Sequence, residues 1–232
     1  MSMIKGVLFD KDGTLFDFAT TWEAWAASFL ERLAKDRAGA AHLGAQIGFD
    51  YHARRFAKDS VAIAGTPGDV ASALMPHLPG YTFEATIDLL NSEAANAPQA
   101  EAVPLIPFLS DLQHRGLRLG VATNDAEAPA RAHLSSAQVI DKFDFIAGFD
   151  SGHGAKPDTG QLLAFARVIG TAPEAIVMVG DSSHDLIAGR AAGMRCVGVL
   201  TGLAERDVLE PLADAVFENI GHLPGWIAAQ DT

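Results

Sequence analysis

In VLFDKDGTLFD, the segment Val7–Asp17, Asp10 ends an apolar run and Asp12 follows two residues later, just before Gly13 turns the chain. Carboxylates this close repel one another and resist leaving water, so such a pair calls for a cation or for a reaction that uses it. Three more polar clusters sit just past apolar stretches: Thr123 and Asn124 after LRLGVA, Lys156 in the loop after FDFIAG, and Asp181 with Asp185 after AIVMVG. Together these offer four carboxylates, an ammonium and a hydroxyl. Such a set makes a poor apolar core but suits a magnesium ion and a phosphate group, because magnesium takes oxygen ligands and lysine offsets anionic charge.

The elements that must bring these residues together can be read from apolar spacing. IKGVLF, 4–9, is a short apolar strand that stops at Asp10. From about Thr20 to Asn96 the spacing predicts helix throughout: TWEAWAASFLERLAKD sets Trp22, Trp25, Phe29 and Leu33 near one face, TFEATIDLLNSEAAN behaves similarly, and no strand is expected there. NAPQAEAVP, with Pro98 and Pro104, reads as a return linker. Beyond it come the helix PLIPFLSDLQHRG, the strand LRLGVAT ending at Thr123, a helix over about 127–138, and the strand FDFIAG. The helix TGQLLAFARVIG, the strand AIVMVG, the helix DLIAGRAAG and two short strands, CVGVL and AVFE, complete the chain. Strict alternation implies parallel strands joined by crossovers, hence an α/β, Rossmann-like doubly wound sheet. Its carboxyl ends share one edge, where open α/β folds place their ligands. The expected domains are a core of 1–17 plus 100–232 and an inserted helical cap of 18–99.

Composition narrows the function. With 49% hydrophobic and 20% charged residues in 232, the chain has ample material for a globular core. A formal net charge of -12 works against nucleic acid or an anionic lipid surface as partner, which leaves small-molecule chemistry. No apolar run approaches the roughly 18 residues of a membrane span, so cytoplasmic residence is the default expectation. Cys196 is the only cysteine and, in MRCVGVL, reads as a small core residue on a strand. The eight histidines show no zinc-type spacing with it. GHGAK, 152–156, lacks the spacing of a phosphate-cradling glycine loop, and no Ser or Thr follows Lys156.

DKDGT at 10–14, ATN at 122–124, AKPD at 155–158 and GDSSHD at 180–185 resemble, in order, the four motifs of the haloacid dehalogenase superfamily. The helical insertion after the first motif resembles the cap of its phosphoglycolate phosphatase and β-phosphoglucomutase group. The resemblance implies a magnesium-dependent phosphatase that acts on a small phosphorylated metabolite through an aspartyl phosphate. Asp10 would be the nucleophile. Asp12 would protonate the leaving oxygen and later activate water, and its backbone carbonyl would ligate the metal. Thr123 and Asn124 would hold phosphoryl oxygens, and Lys156 would offset the charge of Asp10 and the phosphoryl group. Asp181 would ligate magnesium directly, and Asp185 through a water or by a hydrogen bond to Lys156. Taken singly, each residue has an ordinary alternative: Asp-Gly as a turn, Thr and Asn as helix caps, Lys156 as an exposed loop lysine. Gly13 and Thr14 read as scaffold, Ser182 as support for the acids, and His184 as pointing elsewhere.

Several residues depart from the pattern. Lys11 stands where an apolar residue is usual, Phe18 follows Asp17 where Ser is common, and Asp125 follows Asn124 where phosphoglycolate phosphatases often carry Lys. These positions are expected to leave the core chemistry untouched, though an acid at 125 disfavours a carboxylate-bearing substrate. Arg54, Arg55 and Lys58 read as a solvated helix face, and Trp22 with Trp25 as packing against other cap helices. The rival readings are a phosphomutase of the β-phosphoglucomutase type, a phosphonate hydrolase and a dehalogenase. Dehalogenases of the superfamily lack the second acid, and neither Lys35 nor Lys58 stands in a Schiff-base motif. A phosphoaspartyl signalling or binding protein is the rival from another class, but there the acceptor Asp follows a middle strand. A monomer or homodimer is expected.

Overall fold

The computed structural model describes residues 3–230. The chain opens with β1 (Gly6–Phe9), then runs through α1 (Phe18–Leu33), α2 (Arg37–Gln46), β2 (Phe49–Asp50), β3 (Arg55–Phe56), α3 (Val61–Ala64), α4 (Pro67–Leu74) and α5 (Phe83–Ala94). It returns through α6 (Leu105–His114), β4 (Arg118–Ala122), α7 (Glu127–Ser136), β5 (Phe145–Ala147), α8 (Gly160–Val168) and β6 (Ile176–Gly180). The last elements are α9 (Ser183–Ala191), β7 (Arg195–Val199), α10 (Arg206–Leu209), β8 (Ala215–Phe217) and α11 (Leu223–Gln230).

Six strands form one parallel sheet in the order β5-β4-β1-β6-β7-β8. Its central strand β1, GVLF, is buried along its whole length, as a parallel strand covered on both faces must be. Successive side chains point to opposite faces. Val7 and Phe9 therefore join Val121, Val179 and the α6 residues Leu105, Leu109 and Leu112 on one side. Leu8 joins Met178 and the α8 residues Leu162 and Phe165 on the other. Each such burial stabilises by roughly 1.5–3 kcal/mol relative to exposure. Phe9 is level with Val121 on one neighbour and Val179 on the other, so the first residues past β1, β4 and β6 emerge side by side.

The segment between β1 and α6 packs around its own apolar cluster, which includes Phe29, Leu30, Leu43, Phe49, Leu74 and Leu90. Asp17 starts α1 by accepting from the Thr20 backbone N–H at 2.8 Å. The two chain passages into and out of this cap are tied together, Asp17 N–H to Ala100 O at 2.8 Å and Ala102 N–H to Leu15 O at 2.9 Å.

The cap is not wholly helical as its sequence predicts. β2 and β3 form an antiparallel ribbon. Its turn is held by the Asp50 carboxylate, which accepts from the backbone of His52 and Ala53 at 2.9 Å each, and Arg54 takes a left-handed φ of 53°. Two-residue strands carry too little alternation to register against a helical background. Arg54, Arg55 and Lys58 are exposed, on this ribbon and the loop after it rather than on a helix, and Lys58 pairs with Glu205. Burial pushes the Cys196 thiol up to about 12, consistent with an inert core residue. Among the described residues no helix is long and apolar enough to cross a membrane.

Candidate active site

Asp10, Thr123, Lys156, Asp181 and Asp185 meet at the carboxyl edge of the sheet. The Asp10 backbone N–H donates to Val179 O at 2.8 Å, which continues the β1–β6 ladder by one residue and fixes where the carboxylate starts. Lys156 Nζ lies 2.8 Å from Asp10 Oδ1 and donates to Asp185 Oδ1 at 2.6 Å. The other oxygen of Asp185 accepts from Ser182, at 3.0 Å from its backbone N–H and 2.7 Å from its hydroxyl, in a capping box that opens α9. Ser182 thus supports Asp185.

Backbone space is what lets the acids approach. Gly13 adopts a φ of 75°, and a Cβ there would lie 2.4 Å from Asp181 Oδ2. A Cβ at Gly180 would lie 2.3 Å from the Asp185 carboxylate. Thr14 Oγ1 donates to Asp181 Oδ1 at 3.3 Å, so this nominal scaffold residue touches the cluster.

One oxygen from each of Asp10, Asp181 and Asp185 lies within 4.8 Å of the others. Burial pushes the Asp10 carboxyl up to about 7, with Lys156 opposing and Asp185 and Asp12 adding to the rise. Burial, then the charges of Asp10 and Asp185, raise Asp181 well above the ordinary carboxylate range. On Lys156 burial works to lower the pKa, but Asp10 and Asp185 outweigh it and raise it. One ammonium therefore does not satisfy three buried acids. An all-oxygen donor set with this excess of negative charge fits a magnesium ion.

The Asp12 carboxylate stands apart from that cluster. Its Oδ1 accepts from Lys11 Nζ at 2.6 Å, and the same ammonium lies 3.3 Å from Asp125 Oδ2 and 3.0 Å from His133 Nδ1. His133 Nε2 lies 2.7 Å from Ala94 O at the end of α5. That ring nitrogen must carry the proton, and Nδ1 accepts from Lys11. The expectation that Lys11 and Asp125 leave the chemistry untouched is corrected here: Lys11, fully buried between two acids, holds the second of them. Burial raises Asp125 to about 6 against the pull of Lys11.

Thr123 Oγ1 accepts from the Asp125 backbone N–H at 3.1 Å. The Asn124 side chain brackets the Lys156 backbone, donating to its carbonyl at 2.9 Å and accepting from its N–H at 2.8 Å. Asn124 thereby positions Lys156.

A cavity of about 90 Å³ opens over Asp10, between the sheet edge and the cap. Asp12, Thr123, Asn124, Asp125, Lys156 and Asp185 line its floor. Trp22 and Trp25 line its roof, so their role is not confined to packing within the cap; Trp22 packs edge-on against Trp25 at 5.1 Å, and Trp25 stacks on Phe29 at 5.0 Å. His184 also lines the cavity, contrary to the expectation that it points elsewhere.

A family model described as haloacid dehalogenase-like hydrolase matches residues 4–193, the stretch that carries every one of these motifs. The chain belongs to the haloacid dehalogenase-like hydrolase family. The phosphoglycolate phosphatase of Nitrosospira multiformis is 32% identical to this hydrolase over 222 residues, covering 94% of this chain and 92% of that protein. That of Rhodospirillum rubrum is 35% identical over 122 residues, 53% of this chain and 51% of that protein. The crystal structure of a haloacid dehalogenase phosphatase from Thermococcus onnurineus shares its fold, with a TM-score of 0.68, 21% identity, and coverage of 97% of this chain and 98% of that one.

Within this hydrolase the residue that sequence reasoning does not single out is His133, at the junction with the cap; Lys11 and Asp125 are read there as departures without chemical effect, Trp22 and Trp25 as packing, and His184 as pointing elsewhere. Lys11 carried a usable signal, since a lysine set between two acids at the end of a buried strand needs anionic partners. Trp22 and Trp25, three apart on the first cap helix, face a neighbour that their spacing alone does not identify.

Proposed function

We propose that this hydrolase cleaves a small phosphate monoester, with magnesium as cofactor, Asp10 as nucleophile and Asp12 as acid and base. The observation that carries the reading is Asp10 itself, a buried carboxylate facing a cavity with Lys156 on one oxygen and two more acids beside it. The relatives named as phosphoglycolate phosphatases support the same reaction class. Asp10, Asp181 and Asp185, with the Asp12 backbone carbonyl, would hold magnesium, which when bound neutralises the acids and offsets phosphoryl charge.

An Asp10 oxygen bonds to phosphorus as the bond to the leaving oxygen breaks, and Asp12 gives that oxygen its proton. Asp12 then takes a proton from water as the water oxygen bonds to phosphorus and the Asp10–phosphorus bond breaks. The proton transfers contribute typically ~100-fold to ~10,000-fold in rate. Lys156 balances Asp10 throughout, and the cap excludes bulk water.

Asp10→Asn keeps size and shape but removes the nucleophile. Magnesium-dependent hydrolysis of p-nitrophenyl phosphate is expected to fall by about 1,000-fold or more, with the circular dichroism spectrum unchanged. Undiminished turnover by that variant rejects the assignment.

A further inference from the structure

The cavity has two walls of opposite chemistry. The floor, from the sheet edge, carries Asp10, Asp12, Asp125, Asp185 and Lys156. The roof, from residues 18–94, presents Phe18, Trp22, Trp25, Phe56, Ile63 and Leu90 and contributes no charged side chain. The reaction needs the phosphoryl group on the floor beside Asp10, so the rest of the substrate must lie against that roof.

Among the described residues, a carboxylate there would meet no lysine or arginine free to pair with it. Lys156 is engaged by Asp10 and Asp185, at 2.8 Å and 2.6 Å. Lys11 is fully buried among Asp12, Asp125 and His133 and does not line the cavity. Arg54, Arg55 and Lys58 of the cap are exposed and lie outside the lining. Asp125 adds a further acid to the floor. Placing a second anion between these acids and an aromatic wall would strip its water without supplying a partner.

Asn91 also lines this wall, as an uncharged polar side chain.

We infer that the alcohol this enzyme releases is neutral and largely apolar, aromatic or alkyl, and that it is not a carboxylate like glycolate. The inference rests on the monoesterase reading above and adds the class of leaving group. The side chains of Trp22 and Trp25 then do what a cation would do for an anionic substrate: they hold the leaving group over Asp10, by dispersion and apolar burial.

The test measures kcat/KM with magnesium for benzyl phosphate, ethyl phosphate and phosphoglycolate, all esters of alkyl alcohols. Benzyl phosphate is expected to exceed phosphoglycolate by about 100-fold, with ethyl phosphate between them. Asn91→Arg, which brings a cation to the roof, is expected to raise phosphoglycolate relative to benzyl phosphate by about tenfold. Phosphoglycolate hydrolysed as well as or better than benzyl phosphate by the unaltered enzyme overturns this inference and leaves the monoesterase reading standing. Failure to hydrolyse any of the three, or p-nitrophenyl phosphate, overturns the monoesterase reading and this inference with it.

Discussion

Two buried lysines flank the Asp10–Asp12 turn, and their surroundings differ. Lys156 lies between Asp10 and Asp185, with Asp181 close by, so its cluster keeps an excess of acid. Lys11 lies among Asp12, Asp125 and the neutral His133, and through His133 it reaches the Ala94 carbonyl of the cap. The first cluster calls for a further cation. The second holds two acids against one ammonium, a smaller excess, and it ties the Asp12 side chain to the wall of the cap, where Trp22 also stands 5.4 Å from the ammonium. Similar burial and equal charge thus serve two ends, one completing a site and one fixing the direction of a neighbouring acid.

The comparison breaks most severely at Lys156. Lys156→Met leaves three buried acids without an ammonium, and hydrolysis of every ester is expected to fall by about 1,000-fold. Removing one partner of a buried pair destabilises by roughly 3–5 kcal/mol, so the melting temperature should fall as well. A rate within about tenfold of the unaltered enzyme would mean that Lys156 is not needed to balance Asp10.

Lys11→Met is expected to act more selectively. Asp12 loses its anchor, and proton delivery to the leaving oxygen suffers. In kcat/KM, which reports steps only up to departure of the leaving group, alkyl phosphates, whose leaving oxygen needs that proton, should fall by about 100-fold, while p-nitrophenyl phosphate, whose leaving group departs without it, should fall by less than about tenfold. Equal losses on both substrates would reduce Lys11 to a purely structural residue.

How much of this was legible in the sequence follows from what fixes each side chain. Asp10, Thr123 and Asp181 follow strand ends, and parallel pairing in level register brings strand ends together whatever else the chain does. Lys156 and Asp185 lie in or just past the loops that begin there, and they too were readable. The direction of the Asp12 carboxylate was not, because it is set by Lys11, and Lys11 by residues 114 and 122 positions away in sequence. The aromatic roof was half legible: the helical face of Trp22 and Trp25 could be read from their spacing, but what it faces depends on how the cap sits over the sheet. The short ribbon β2–β3 left no periodic trace at all.

The smallest expected effect concerns His133, the link between Lys11 and the cap. Burial, then the charge of Lys11, pulls its pKa down to about 4 from an ordinary 6.5. The folded protein therefore resists a proton that the unfolded chain accepts. The stabilisation from a neutral His133 is fully present above pH 6.5 and is lost as pH falls from 6.5 to about 4, after which both states are protonated and this group adds no further change. The loss is on the order of 3 kcal/mol, from roughly 1.4 kcal/mol per pKa unit. Gln at this position can still accept from Lys11 and donate to Ala94 O, but it does not titrate. His133→Gln should thus match the unaltered protein in stability at neutral pH and exceed it near pH 4.5, in parallel urea titrations. Stability curves that stay parallel across that range would show that the imidazole takes up its proton without breaking the Lys11 cluster, and the link to the cap would then be dispensable.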